Sequence, residues 1–351
     1  MDLNHIQHAL RDRETHFLRP AATLSSSATR AVPESDQFVR TPFQRDRDRV
    51  THSKAFRRLM HKTQVFISPD GDHFRTRLTH TLEVTQVART IGRALRLNED
   101  LVEAIGLAHD LGHTPFGHAG ERALSAVYPG FRHNEQSLRV VDRIEHDGRG
   151  LNLTEQVRDG ILRHSKPEGD ITGSISGRPA TPEAQVVKIS DGVAYVNHDL
   201  DDAIRAGMVT QDEVPVQVLE ALGKQHSQRI NTLVCDIIEQ SEAELDESEP
   251  GSQFILMSDD VRQAADCLRD FLFERVYTPI NAAESTHRAQ RMLQWLYEHY
   301  ATSPSEVPAE FAHALASDGV ERVAIDYVAS MTDRYAVSRF ESLYVPHFWS
   351  A

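Results

Sequence analysis

The chain has 351 residues, with 52 acidic against 38 basic side chains, a formal charge of −14 and a pI near 5.7. That balance argues against broad affinity for nucleic acid or an anionic membrane, and no apolar run approaches the ~20 residues that a membrane span needs. Two cysteines, Cys235 and Cys267, in so long a chain give no disulfide framework, and with a polar, charged first twenty residues they point to a reducing, cytoplasmic setting.

In chain order, residues 1–37 include Pro20-Ala21-Ala22-Thr23-Leu24-Ser25-Ser26-Ser27-Ala28-Thr29 and read as a flexible segment. A basic run comes next, Arg40, Arg45, Arg47, Arg49, Lys54, Arg57, Arg58 and Lys62, with Asp46 and Asp48 the only acids inside it. By itself it is a solvated helix face. Arg75 and Arg77 lie just beyond it, however, and Arg can clamp phosphate bidentately, which moves part of the run towards a phosphate-facing surface or an inter-subunit contact. Residues 64–68 and 73–76 flank Pro69-Asp70-Gly71-Asp72 and have the pattern of a small β-hairpin. A helix then opens, with an apolar stripe of Val84, Val87, Ala88, Ile91 and Leu95 and with Arg77 and His80 one turn apart.

Residues 98–108 space Leu101, Ile105 and Ala108 as a buried helix does. His109-Asp110 therefore stands where that helix ends in the core. Such a pair is costly to bury without partners, whereas imidazole and carboxylate are good ligands for a divalent ion. Pro115 and Gly117 break the helix, and His118 and Glu121, three apart, share a face of the next turn. Residues 166–182 hold loop formers with no apolar period, a lid or a disordered stretch. Asp191, Tyr195 and Asp199 stand at i, i+4 and i+8, so one helix face carries two acids and a phenol. Helical periods recur over 214–238, 261–300 and 308–335, and 239–252 reads as an acidic linker. A lone His or Asp of this kind is usually structural. A His on one helix, a His-Asp pair on a second and an Asp on a third can instead give four ligands to one ion, as inward-facing side chains do in helical cores.

The order His…His-Asp…Asp resembles that of HD-domain metal-dependent phosphohydrolases. The runs Arg40-Thr41-Pro42-Phe43-Gln44-Arg45-Asp46-Arg47-Asp48-Arg49-Val50, Ser53–Leu59 and Lys62-Thr63-Gln64-Val65-Phe66 are similar to the N-terminal signature of deoxyguanosine triphosphate triphosphohydrolases and their bacterial relatives. So are Gly71–Arg77, His133-Asn134-Glu135-Gln136-Ser137-Leu138-Arg139, Gly150–Thr154 and Asp326-Tyr327-Val328-Ala329-Ser330-Met331-Thr332-Asp333. The resemblance spans roughly residues 38–340. It implies a mostly α HD-type fold with that small hairpin, a metal core at about 60–205, a helical C-terminal part at about 214–340 and a tail at 341–351. It implies His80, His109, Asp110 and Asp191 as metal ligands, and His118, Glu121 and His133 as catalytic groups. For substrate it implies Gln44, Arg45, Arg77, His113, Tyr195, Asp199, Tyr327 and Asp333, with Tyr195 beside the sugar. Thr114 stands where many relatives have Pro, and Gly192 where many have a second Asp. Neither is a ligand position, and Gly192 bears on phosphate or second-metal contacts.

The activity so implied is hydrolysis of deoxynucleoside triphosphates to deoxynucleoside and triphosphate, by metal-activated water at the α-phosphorus. Such an ion, Mn or Mg first and Co, Fe, Ni or Zn next, lowers the pKa of bound water and polarises the phosphoryl oxygen. A histidine is the natural proton donor near neutral pH, and a carboxylate beside it orients it and favours its charged form. A homo-oligomer, up to a hexamer, is expected, with dNTPs or single-stranded DNA as effectors. Two other readings stand beside this one. Another HD phosphohydrolase, for nucleoside monophosphates or cyclic dinucleotides, explains the ligands but not the Arg40–Val65 or Asp326–Asp333 runs. A nucleotide- or nucleic-acid-binding regulator with a vestigial site would be expected to lack ligands that this chain keeps. His61, His73 and His198 read as structural or solvated.

Overall fold

The computed structural model describes residues 4–35, 39–66, 75–166, 177–247 and 254–346. Helices make up its regular structure, and among the described residues there is no strand, only isolated antiparallel bridges between Arg30 and Thr154 and between Thr63 and Thr76. The second bridge pairs Thr76, the last residue of the expected hairpin, with Thr63, one residue before its start, and the hairpin's turn lies outside the described residues. The expected 166–182 loop also lies largely outside them. No described helix is long and apolar enough to cross a membrane.

The chain divides into two compact units that alternate along the sequence, the first taking 1–52, 79–109 and 151–279, the second 53–78, 110–150 and 280–351. The peptide bond between His109 and Asp110 is one of the crossings.

The first unit is built on the Glu99–Ala108 helix. Asn98 caps it by accepting from the Leu101 N–H, and Glu99 and Asp100 occupy its first turn, where the helix dipole favours acids. Leu101, Val102, Ala104, Ile105, Leu107 and Ala108 are buried against the Pro42–Thr51, Glu155–Arg163 and Pro182–Arg205 helices, each large side chain contributing about 1.5–3 kcal/mol. A Cβ at Gly106 would stand 2.7 Å from the Thr85 hydroxyl and 3.3 Å from its Cα, so a glycine is needed for the approach of the Arg77–Ala94 helix. The Pro182–Arg205 helix starts at a Thr181 cap with Pro182 at its first position and is buried along most of its length.

The N-terminal residues, expected to be flexible, carry a helix over Asn4–Phe17. Polar anchors hold the residues beyond that helix, because the segment has little apolar surface to bury. Arg19 is buried and pairs with Glu242 and Asp246, Ser25 takes Glu14 through both its N–H and its hydroxyl, and Arg30 pairs with the buried Asp46. The acidic stretch after Glu239, expected to be a linker, continues the His226–Glu247 helix up to Glu247.

In the second unit the Gly117–Val127, Glu284–Thr302, Val320–Ser330 and Asp333–Tyr344 helices pack together. Their core includes Phe116, Leu124, Leu293, Leu296, Tyr300, Phe311 and Tyr327. A Cβ at Gly112 would fall 2.1 Å from the Ser137 nitrogen, so the turn after Asp110 lies directly on the backbone of the His133–Arg139 helix. Gly112 N–H also donates to the Ser137 hydroxyl at 2.9 Å.

Candidate functional site

In the first unit, three donors converge. His80 comes from the Arg77–Ala94 helix, His109 caps the end of Glu99–Ala108, and Asp191 lies midway along Pro182–Arg205. Asp191 Oδ1 is 3.2 Å from His80 Nε2 and 4.0 Å from His109 Nε2, and the two rings are 5.9 Å apart. Ligand atoms about 2.1 Å from one ion stand roughly 3.0–3.4 Å apart at octahedral or tetrahedral angles, so the spacing is close to that of a coordination shell. His109 Nδ1 lies 2.7 Å from the Gly106 carbonyl. That contact makes Nδ1 the protonated nitrogen and leaves Nε2 with its lone pair, the arrangement of metal-binding histidines. Burial raises the Asp191 pKa, but Lys166, His80 and His109 more than offset this and hold it well below the usual carboxylate range. A charged oxygen and two imidazoles suit a divalent cation.

In the second unit, Asp110 pairs with the buried Arg77, whose guanidinium also reaches the Gln64 carbonyl. Asp110, His113 and His133 can bring ligand atoms within 4.8 Å of one another, as can His113, His118 and Glu121. His113 stacks on His133 with ring centres 4.5 Å apart. Burial, and then Arg77, push the His113 pKa well below normal, so this imidazole is neutral. Its Nδ1 is buried with no hydrogen-bond partner among the described residues. His133 differs. Burial would lower its pKa, but the Glu121 carboxylate 2.8 Å from Nδ1 outweighs that and raises it. Glu121 also lies 3.5 Å from Nδ1 of the half-exposed His118. Its own pKa, raised by burial, is brought far below the carboxylate range chiefly by His133 and His118. The second unit therefore holds a neutral histidine against a carboxylate-paired one.

Long-range carboxylates hold these histidines in place. Phe116 and Gly117 both have positive φ, +59° and +55°, at the start of the helix that carries His118. This backbone is strained for Phe116. Asp333 fixes it, accepting from Phe116 N–H at 2.9 Å, from Thr63 N–H at 2.9 Å and from the Thr63 hydroxyl. Asp326 accepts from Arg139 Nε at 2.8 Å, Gln136 Nε2 at 2.9 Å and Arg322 Nη2 at 3.0 Å, which ties down the helix bearing His133. Asp333 is expected among the substrate contacts, yet its carboxylate is engaged by backbone and threonine. Tyr327 is also buried, its hydroxyl 2.9 Å from that of Tyr335.

The other expected contacts have partners of their own. Gln44 closes a capping box with Thr41 and donates to Asp100 at 2.9 Å, and Arg45 pairs with Glu34. The basic run is largely neutralised where it stands, Arg40 and Arg47 by Asp48, Arg49 by Glu34, and Lys54 and Arg58 by Glu310. Tyr195 and Asp199 do meet, through a residue that sequence reasoning missed. Tyr277 stacks on Tyr195 at 5.4 Å and donates to Asp199 at 2.6 Å. Lys166, also missed, reaches Asp191 at 3.0 Å. Nothing local marks Tyr277, which is 78 positions from Asp199. Lys166 stands at the start of a segment that reads as loop.

Residues 77–195 match the HD domain and residues 255–342 the phosphohydrolase-associated domain. A deoxyguanosinetriphosphate triphosphohydrolase-like protein of Caldanaerobacter subterraneus is 50% identical over 338 residues, which cover 96% of this chain and 95% of that protein. A protein of the same name from Desulfatibacillum aliphaticivorans is 46% identical over 353 residues, covering 97% of this chain and 98% of that one. The crystal structure of a hypothetical protein from Aquifex aeolicus aligns with 84% of this chain and 67% of its own, at 18% identity and a TM-score of 0.46.

Proposed function

We propose a function from one premise: the chain belongs to the family of deoxyguanosinetriphosphate triphosphohydrolase-like proteins, an HD-domain hydrolase family. It is accordingly a metal-dependent phosphohydrolase. Our reading is that its substrates are deoxynucleoside triphosphates and that it cleaves the bond between the α-phosphorus and the 5′ oxygen, releasing deoxynucleoside and triphosphate. His80, His109, Asp110 and Asp191 would hold the ion, Mn or Mg before Co, Fe, Ni or Zn. The peptide bond between His109 and Asp110 keeps those two ligands together. The bound ion supplies a water of lowered pKa and offsets charge on the phosphoryl oxygen.

The chain's own residues supply the rest. Arg77, held by Asp110, offers a guanidinium to phosphate. His113, neutral with an unpartnered buried Nδ1, can donate to or accept from a phosphoryl group without a net charge. His133, its pKa raised by Glu121, can pass a proton to the departing 5′ oxygen, and His118 lies against the same carboxylate. Help of this kind is worth about two to four decades in rate. Tyr195, Tyr277 and Asp199 form a rigid aromatic and carboxylate wall suited to a sugar. The observation that carries the reading is the approach of Asp191 to His80 and His109, at 3.2 and 4.0 Å, with His109 Nδ1 turned to the Gly106 carbonyl so that Nε2 faces the carboxylate.

Product analysis tests it. The protein is incubated with each dNTP and Mn or Mg, singly and mixed, and the products are separated by ion exchange. Deoxynucleoside with intact triphosphate is expected. Pyrophosphate or single phosphate would mean a different phosphohydrolase reaction. Failure of every mixture to turn over would favour a binding role. Light scattering on the same sample tests the proposed homo-oligomer, and turnover in the presence of single-stranded DNA tests that effector.

A further inference from the structure

We propose that Lys166 is a phosphate-binding residue of the substrate site, held on the Asp191 carboxylate until an ion and an anionic substrate displace it. The inference rests on the polyphosphate substrate proposed above.

Lys166 does not stand on a loose surface arm. His164, two residues before it, is buried, with Nδ1 2.7 Å from the Ile161 carbonyl and its ring 5.0 Å from that of His109. From this anchored position the Lys166 ammonium reaches Asp191 Oδ2 at 3.0 Å, and its side chain is 12% exposed. The other oxygen of the same carboxylate faces His80 and His109. The ammonium and a bound ion thus compete for one ligand.

The electrostatics decide which of them yields. A divalent ion held by Asp191 and the two histidines would carry twice the charge of the ammonium and share its carboxylate, in a largely buried setting where such repulsion is poorly screened. The ion also takes up the negative charge that holds Lys166. Once displaced, the ammonium needs another anion, and the reaction brings one in the form of a polyphosphate. A lysine suits this exchange, because its charge is compact and sits on a flexible four-carbon stem. The helix bearing Asp191 offers no substitute nearby. Gly192 has no side chain, and Lys188 Nζ is directed to the Gly177 carbonyl.

The test separates competition with the ion from contact with phosphate, and it needs no turnover. Lys166→Met, Lys166→Arg and the unaltered full chain are titrated calorimetrically with Mn2+, then, loaded with Mn2+, with inorganic triphosphate. Removing the competing charge should tighten Mn2+ binding by Lys166→Met roughly tenfold, within the range usual for coupled sites. The loaded variant should bind triphosphate roughly tenfold more weakly, and Lys166→Arg should restore that second affinity. A purely structural ion pair would lower thermal stability and leave both affinities where they were. That result, or a loss of only one of the two effects, overturns the inference. If the unaltered protein fails to release triphosphate from any dNTP, the substrate reading fails instead, and the Mn2+ and triphosphate affinities still report on Lys166.

Discussion

The two clusters of histidine and carboxylate side chains are held in opposite ways. In the first unit, His80, His109 and Asp191 project from regular helices whose buried stripes fix their directions, and a single glycine, Gly106, sets how closely two of those helices approach. In the second unit, His113 and His118 sit on or beside a strained turn, and His133 opens a short helix. Asp333 and Asp326, some two hundred residues away, secure them. One cluster is rigid because of the helices beneath it. The other is rigid because distant carboxylates satisfy its backbone and its arginine.

The comparison breaks most sharply at the cluster proposed to hold the metal. Asp191→Ala should abolish turnover and lower bound metal, measured by elemental analysis, while circular dichroism stays helical. Full activity of a metal-stripped Asp191→Ala protein would end the ligand assignment. The second cluster should behave differently. His133→Ala is expected to lose about two to four decades in kcat with its metal content intact. Loss of metal in step with activity would place His133 among the ligands instead.

The clamps come next. Asp333→Ala frees the Phe116 turn, and displacing a catalytic group by an ångström costs about a hundredfold in rate. The expected signature is a fall in kcat with little change in metal affinity. Asp326→Ala removes the buried carboxylate, 3% exposed, that Arg139 and Arg322 share, and leaves Arg139 only Asp318 and Arg322 only the neutral Gln136 as side-chain hydrogen-bond partners within this cluster. Breaking such a pair costs about 3–5 kcal/mol, so thermal unfolding should move down markedly. An unchanged melting temperature would show that the clamp carries no stability.

The same contrast separates the legible parts of the sequence from the rest. The helical architecture, the His-Asp pair at the end of a core helix and the i, i+4, i+8 face through Asp191 come from periodicity, because a helix converts spacing directly into direction, and the break before His118 comes from Pro115 and Gly117. The N-terminal segment reads as flexible in the sequence because its anchors are polar pairs without a period, Glu14 with Ser25 and Arg30 with Asp46, and because the partners of Arg19 lie more than two hundred residues along the chain. Asp333 reads as a substrate contact because its motif signals importance and not partners. Tyr277 and Lys166 leave no local signal, since each acquires meaning only where the fold brings it to Asp199 or Asp191.

Lys62 gives the smallest expected effect, and it sharpens the account of the second unit. Its buried Nζ donates to the His113 carbonyl and to that of Ala329, the latter at 3.0 Å, so it braces the loop that carries His113. Burial, aided by Arg58 and Arg77 and opposed by Asp333 and Asp110, lowers its pKa to about 7. An unfolded chain keeps that proton until about pH 10.4. Between those values the unfolded state binds more protons than the folded one, so stability rises with pH. The penalty of burying the charge is complete below about 7 and gone above about 10.4. Relative to Lys62→Met, the protein should gain about 2 kcal/mol between pH 7 and 9, read from urea unfolding at each pH. Because the neutral amine still has two hydrogens for the two carbonyls, the loop should keep its geometry as the charge is lost, and kcat should track the state of His133 and not that of Lys62. A difference between the two proteins that stays flat over that window would mean that Lys62 remains charged in place. The brace would then be an ionic one, stabilised by Asp333 and Asp110 more strongly than burial opposes it.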